Sequence, residues 1–153
     1  MNNAKTLTIA DVMTKSVISV DASLAVNEAA KMMEDTKVGA IIVMENNTPI
    51  GIVTDRDFAI KIVAHAYQIT TPVKQIMSSP LFSINSDESI RTAADLMYHR
   101  GIRKLPVIDD EKVIGIITAT DIGHLLAVCV EKDMRDMYFH TAVKIYSDSS
   151  PYR

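Results

Sequence analysis

The chain contains Gly51-Ile52-Val53-Thr54-Asp55-Arg56-Asp57 and repeats this pattern 64 residues later as Gly115-Ile116-Ile117-Thr118-Ala119-Thr120-Asp121. The two stretches belong to a longer ungapped alignment of residues 12–58 with residues 76–122, in which 11 of the 47 pairs are identical. Apolar positions, glycines and acids match together, and chance does not produce such agreement over this length. The sequence therefore predicts a tandem duplication.

Each copy has the pattern strand, helix, strand, strand, helix. In the first copy Ser16–Val20 alternates in polarity like a strand, and an apolar helical face follows at the spacing i, i+3, i+4, i+7, formed by Val26, Ala29, Ala30 and Met33. Asp21 and Ser23 are candidate N-caps for this helix. The second copy repeats the helical face with Ile90, Ala93, Ala94 and Met97.

A β-hairpin and a second helix complete each copy. Ala40–Met44 and Ile50–Val53 flank a polar turn, and Lys104–Ile108 and Val113–Ile117 repeat the arrangement. The last helices begin near Thr54 and Thr118. We expect a mixed α/β (α+β) fold of two β-α-β-β-α repeats packed about a pseudo-twofold axis, with ligand clefts between them. The predicted boundaries are residues 1–66 for the first repeat with its N-terminal segment, 67–73 for the linker, 74–130 for the second repeat, and 131–153 for a C-terminal helix and flexible tail.

Composition limits the class of protein. The chain has 153 residues, a net charge of −3 and a single cysteine. The acidic balance argues against a nucleic-acid partner, and no apolar run reaches the roughly 18–20 residues that span a bilayer. One cysteine excludes a disulfide scaffold, so we expect a cytoplasmic protein. Four histidines show no metal-ligand spacing and no nucleophile has a base beside it, so neither a metal site nor a catalytic site is expected.

The repeated threonines and aspartates need a reason other than a shared core. Thr54 with Asp57, and Thr118 with Asp121, stand where a strand passes into a helix. There the pair can cap the free N–H groups of the first helical turn. It can equally serve a ligand, because the N–H groups and hydroxyl suit a phosphate while the carboxylate accepts the hydroxyls of a ribose. The spacing suits both roles.

These stretches resemble the closing signature of the cystathionine-β-synthase (CBS) domain, which usually occurs as a tandem pair. The openings Val12-Met13-Thr14 and Ile76-Met77-Ser78 and the stretch Gly101–Val107 match the family as well. The resemblance covers about residues 9–130. It implies a stand-alone regulatory pair, known as a Bateman module, that binds AMP, ADP, ATP or S-adenosylmethionine between its repeats.

The resemblance also implies roles for individual residues. Asp57 and Asp121 would each hold a ribose, with Thr54 and Thr118 beside the phosphates. The adenine would lie against the opening strand of the opposite copy, so that Ser79-Pro80-Leu81 line the Asp57 site and Lys15-Ser16-Val17 the Asp121 site.

The basic residues of the resembling motifs are distributed unevenly. Arg103 and Lys104 match phosphate contacts of the family, and the first copy has Gly39 and Ala40 at these positions. Arg56, which can reach phosphate, is matched by Thr120. We therefore expect the Asp57 site, facing Arg103 and Lys104, to take the more highly phosphorylated ligand, and the Asp121 site to be weaker or to hold a monophosphate.

The sequence thus predicts a non-enzymatic adenine-nucleotide sensor that requires no cofactor, forms a homodimer and acts on an unidentified partner protein. The alternative is a structural or protein-interaction module whose clefts hold no nucleotide. No nucleic-acid or membrane partner is expected.

Overall fold

The computed structural model describes residues 7–128 and, beyond them, residues 136, 139, 140 and 143. In chain order its elements are α1 (Ile9–Val12), β1 (Ser19–Asp21), α2 (Val26–Thr36), β2 (Ala40–Glu45), β3 (Thr48–Thr54), α3 (Asp55–Asp57), a π-helix (Phe58–Ala64), a 3-10 turn (Val73–Gln75), α4 (Ile90–Arg100), β4 (Lys104–Asp109), β5 (Lys112–Thr118) and α5 (Ala119–Val128). The predicted mixed α/β class, with a β-α-β-β-α-like order in each repeat, is confirmed.

The described chain divides into two compact units. One is Val17–Phe82, and the other combines the described residues before Val17 with those after Phe82. The opening segment of the first repeat therefore belongs to the unit of the second repeat. The opening segment of the second repeat belongs, in turn, to the unit of the first.

Strand pairing is similar in the two units. In Val17–Phe82, β1 pairs in parallel with β2, and β2 pairs antiparallel with β3. In the other unit β4 and β5 form the same hairpin, and a single parallel bridge between Ile84 and Val107 stands where β1 would be. The strand predicted over Ser16–Val20 is shorter than expected, because only Ser19–Asp21 is paired.

The hairpin turns follow from their sequences. Asn46 and Asn47 have φ of 50° and 61°, and Asp110 and Glu111 have φ of 47° and 64°. Two central residues with positive φ define the turn that best matches the twist of a two-residue hairpin, and Asn and Asp tolerate this conformation better than most residues. The predicted polar turns are confirmed.

The first long helix begins in a way that the sequence did not predict. Its N-cap position is Ala25, which has no side-chain cap. The first helical N–H groups, on Val26 and Asn27, instead donate to backbone carbonyls of the linker, those of Thr71 and Ile69, at 2.9 Å each. The expectation that Asp21 or Ser23 caps this helix is therefore wrong.

The cap candidates were misjudged because the linker carbonyls supply acceptors that only the folded chain brings there. Asp21 accepts a hydrogen bond from the Ser23 N–H at 2.9 Å and so forms a local turn before the helix.

The apolar faces of α2 and α4 are buried as predicted, except that Ala30 is only half-buried. In the unit Val17–Phe82, α2 packs with β2, β3 and the 3-10 turn around fully buried side chains that include Ile41, Val53, Val73 and Ile76. This core fixes the end of β3 and thereby the start of the helix that follows.

Two predictions fall mostly outside the described residues. They are the C-terminal helix and the flexible tail expected over residues 131–153. Within the described part of the chain, no helix has both the length and the apolar character that crossing a bilayer requires.

Candidate functional site

The first Thr–Asp pair forms a closed cap. The Thr54 N–H donates to Asp57 Oδ2 at 2.8 Å, and the Thr54 hydroxyl donates to the same oxygen at 3.0 Å. β3 ends at Thr54 and the helical segment begins at Asp55, so the carboxylate reaches back over the first turn. The capping role proposed for this pair is present in the structure.

The second Thr–Asp pair repeats this geometry. The Thr118 N–H and hydroxyl donate to Asp121 Oδ2 at 2.8 Å and 2.7 Å. The Asp121 N–H donates back to Thr118 Oγ1 at 3.2 Å, which completes a reciprocal cap. One carboxylate oxygen of each aspartate is therefore engaged by its own threonine, and any ligand hydroxyl depends mainly on the other oxygen, Oδ1.

A backbone segment lies beside each helix start. Ser78 exchanges backbone hydrogen bonds with Ile52 at 2.8 Å and 3.3 Å, and Thr14 exchanges them with Ile116 at 2.9 Å. The glycines that precede these strand positions permit the approach. A Cβ on Gly51 would stand 2.5 Å from Met77 Sδ, and a Cβ on Gly115 would stand 2.5 Å from Met13 Sδ. The repeated Gly and Met residues are thus complementary in shape.

The Oδ1 atoms of the two aspartates have different surroundings. Asp57 Oδ1 accepts from Lys61 Nζ and from the Ser78 hydroxyl, both at 3.4 Å. Lys61 Nζ also donates to the carbonyl oxygens of Ile76 and Met77. Within the described residues Asp121 Oδ1 has no such donor, and Leu125 stands at the position that corresponds to Lys61. The duplicated site is therefore asymmetric at its carboxylates.

The residues predicted to line the adenine divide between the units. Ser79-Pro80-Leu81 directly follow Ser78 and lie in the unit of Asp57. Lys15 and Ser16 directly follow Thr14 and lie in the unit of Asp121, whereas Val17 is the first residue of the unit that holds Asp57. Contact of any of these residues with an adenine stays a prediction.

The residues beside each helix start lie at the beginning of the neighbouring strand, β2 or β4. Ala40 pairs with Thr54, and Gly39 accepts from the Asp55 N–H at 3.4 Å. Lys104 pairs in the same way with Thr118. The backbone oxygen of Arg103 accepts from the Ala119 N–H at 2.9 Å. The Arg103–Lys104 backbone thus lies beside the Asp121 helix start, and service of these side chains to the Asp57 site stays a prediction.

Other predicted phosphate residues are solvent-accessible. Arg56, Arg103 and Thr120 are exposed, and Lys104 is half-buried. Each therefore has part of its surface open to a soluble anion. Within the described residues, no group of three or more His, Cys, Asp or Glu side chains is arranged to hold a metal ion.

Sequence reasoning missed Lys61 and Ser78. The sequence did contain a signal for Lys61. The duplication aligns Lys61 with the apolar residue Leu125, so the two copies differ in charge at this helical position. Ser78 was assigned only to the opening motif, because its contact with Asp57 depends on the packing of a distant segment.

Comparison with known proteins places this arrangement in a family. The family model described as CBS domain matches residues 9–64 and 73–128. The CBS domain-containing protein YhcV of Bacillus subtilis is 36% identical over 115 residues, which cover 75% of this chain and 82% of that protein.

Solved structures match as well. The CBS domain structure NE2398 gives a TM-score of 0.73 at 27% identity and covers 79% of this chain and 98% of that one. The CBS domain pair of protein MJ0100 was solved in complex with 5′-methylthioadenosine and S-adenosyl-L-methionine. It gives a TM-score of 0.72 at 27% identity and covers 80% of this chain and 97% of that one.

Proposed function

This chain belongs to the CBS domain family and holds two CBS domains in tandem, and on that premise we propose that it is a regulatory module for an adenosine-containing ligand. The ligand class comprises AMP, ADP, ATP and S-adenosylmethionine. Ligand binding would change the conformation of the module and thereby the activity of an unidentified partner protein. The proposed role is regulatory and involves no chemical step.

One observation carries the proposal. The same threonine and aspartate recur at the same strand-to-helix junction of both repeats, each close to an opening motif in which Met is followed by Thr or Ser. A relative with this fold, the MJ0100 pair, was solved with two adenosyl compounds. Adenosyl compounds share a ribose, and a carboxylate that keeps a free oxygen suits its hydroxyls.

The proposed contacts use the rest of the predicted site. Asp57 and Asp121 are the two candidate acceptors of ribose hydroxyls, and Thr54 and Thr118 lie at the phosphate side. Arg56, Arg103 and Lys104 supply positive charge for phosphate, since charge-assisted hydrogen bonds to an anion are among the strong ones. Ser79-Pro80-Leu81 and Lys15-Ser16-Val17 provide surface for the adenine.

Thermal unfolding with a ligand panel tests the proposal. A ligand present at about 100 times its Kd stabilises the folded state by about 2.7 kcal/mol, which raises Tm by several degrees for a chain of this size. We expect such a rise with at least one of AMP, ADP, ATP, S-adenosylmethionine and 5′-methylthioadenosine. Guanosine and cytidine monophosphate serve as controls. No rise with any adenosine compound would contradict the proposal.

A second candidate function is an interaction module without nucleotide. The observation in its favour is that both Thr–Asp pairs already cap their helices, so a structural reason for the repeated residues exists without a ligand. The same ligand panel separates the two functions.

We also propose that the module is a cytoplasmic homodimer. Exposed apolar side chains follow both Thr–Asp pairs, with Val63 79% exposed at the end of the π-helix and Val128 70% exposed at the end of α5. Burial of such side chains against a second copy would remove apolar surface from water. Light scattering coupled to size exclusion would give the mass of one chain if this assignment is wrong.

A further inference from the structure

We infer that Lys61 occupies the carboxylate of the first Thr–Asp pair, so that Asp121, and not Asp57, is the residue that holds the ribose of an adenosyl ligand. The inference rests on the proposed function and specifies which half of the duplicated site performs it. The two carboxylates differ in the hydrogen-bond partners that each has within its own unit.

The Asp57 carboxylate has donors beside both of its oxygens, close at Oδ2 and longer, at 3.4 Å, at Oδ1. A carboxylate offers about four lone-pair positions. Oδ2 accepts from the Thr54 N–H and hydroxyl, and Oδ1 accepts from Lys61 Nζ and the Ser78 hydroxyl. The Asp57 side chain is only 12% exposed. A ribose that approached it would have to displace donors that are already in place.

Lys61 is held from several sides. An ammonium group has three N–H donors, and Lys61 Nζ has three acceptors: Asp57 Oδ1 at 3.4 Å and the carbonyl oxygens of Ile76 and Met77. Its side chain is 28% exposed. Removing Lys61 from Asp57 would leave a half-buried cation without its carboxylate partner, which costs free energy.

The Asp121 carboxylate has spare capacity. Its Oδ2 accepts from the Thr118 N–H and hydroxyl, as in the first pair. Among the described residues Oδ1 has no hydrogen-bond donor. Leu125, which corresponds to Lys61, has no polar group that could donate. Two adjacent ribose hydroxyls can therefore donate to Asp121 Oδ1 without displacing a hydrogen-bond donor of the described residues.

The local helix geometry differs in the same sense. The segment that contains Lys61 is a π-helix, Phe58–Ala64, whereas the segment that contains Leu125 is the regular α-helix α5. A π-helical turn is closed by i→i+5 hydrogen bonds and is rare, so Lys61 stands on an irregular turn that Leu125 does not share. The irregular turn coincides with the repeat in which a lysine contacts the aspartate.

Isothermal titration of the full chain tests the inference, with 5′-methylthioadenosine and AMP as parallel probes. The first probe is uncharged at neutral pH and has ribose hydroxyls but no phosphate, so the charge of Lys61 should affect it little. We expect about one equivalent bound per chain. Asp121→Asn should weaken that binding by about tenfold or more, which corresponds to loss of one charge-assisted hydrogen bond.

Exchanging the side chains of the corresponding residues Lys61 and Leu125 provides the more specific test. Lys61→Leu should expose Asp57 and raise the stoichiometry to about two equivalents per chain. Leu125→Lys should place an ammonium group beside Asp121 and weaken the wild-type binding event. The double variant Lys61→Leu with Asp121→Asn should keep one equivalent, now bound at Asp57. Lys61→Met is the second variant, and circular dichroism reports whether each variant is folded.

The outcomes separate this inference from the proposed function. Two equivalent sites in the wild type, binding unaffected by Asp121→Asn, or folded Lys61→Leu and Lys61→Met variants with unchanged stoichiometry would overturn the inference while adenosyl binding stands. Absence of binding by both probes, together with no stabilisation by any adenosine compound, would overturn the proposed function, and the inference with it.

Discussion

Asp57 and Asp121 show how one residue type can satisfy two requirements. Each uses one oxygen to cap its helix, and the partners of the second oxygen decide what else it can do. The sequence identified both residues from their repetition, and the structure adds the lone-pair count that distinguishes them. That count depends on Lys61 and Ser78, which a motif does not include.

Asp109 gives a prediction at the scale of single residues. Its carboxylate accepts from the Ser86 hydroxyl at 2.5 Å and the Ser86 N–H at 3.0 Å. These bonds lower the pKa of Asp109 below its ordinary value of 3.8, and the bond from the Ser86 hydroxyl has the larger effect. A lowered pKa favours the charged form in the folded state, so its contribution to stability is present above that ordinary value and is lost as pH falls through the lowered pKa.

Ser86→Ala should therefore raise the pKa of Asp109 toward 3.8, with the backbone N–H bond leaving part of the depression. Carboxyl titration by NMR measures it. Ser23→Ala is the matched control, because the Ser23 hydroxyl and N–H lower the pKa of Asp21 in the same way. That variant should move the pKa of Asp21 alone. An unchanged pKa of Asp109 in Ser86→Ala would contradict the assignment.

At the scale of elements, local patterns predicted what local interactions determine. The hairpins were predictable because their polar turns adopt positive φ between apolar strands, and the helical faces were predictable from their spacing. The start of α2 was not, because the acceptors for its N–H groups are carbonyls of Thr71 and Ile69, more than forty residues away. The single bridge at Ile84 was likewise beyond the sequence.

The ends of α2 and α4 give a prediction at this scale. Lys37 and Gly101 occupy corresponding C-cap positions with φ of 56° and 64°. A left-handed residue with a Cβ is strained, whereas glycine is not. Lys37→Gly should therefore raise the free energy of unfolding by about 0.5–1 kcal/mol, and Gly101→Ala should lower it by about as much.

Urea denaturation measures both effects. Lys37→Ala is the control, because it removes the charged side chain and keeps the Cβ. A Lys37→Gly variant no more stable than Lys37→Ala would show that the left-handed residue imposes no strain.

At the scale of the whole molecule, each unit contains the opening segment of the other repeat. The duplicated sequence predicted two repeats, but repetition carries no information about which copy of an opening segment packs on which hairpin. The pairs Met13 with Gly115 and Met77 with Gly51 record that choice in the structure. The predicted boundary near residue 66 therefore follows the repeat in sequence and not the packing.

The substitution Ile9→Ala tests whether the opening segment of the first repeat belongs to the unit of the second repeat. Ile9 is fully buried, and its N–H donates to the Glu88 carbonyl at 2.9 Å. Truncating a buried isoleucine typically costs 2–5 kcal/mol, and the loss should fall on the unit that contains the second repeat. Hydrogen exchange should accelerate at the Ile116 amide, which bonds the Thr14 carbonyl.

The Ser78 amide, which bonds the Ile52 carbonyl within Val17–Phe82, is the internal control and should keep its protection. Faster exchange at Ser78 with Ile116 unaffected would contradict the exchanged arrangement.

The proposed function requires that an aspartate of a repeated Thr–Asp pair binds an adenosyl ligand and does not merely cap a helix. Calorimetric titration of AMP and 5′-methylthioadenosine into the wild-type chain and into the folded double variant Asp57→Ala with Asp121→Ala measures this most directly. We expect saturable binding to the wild type that disappears in the double variant. Equal binding to both proteins, or no binding to the wild type, would contradict it.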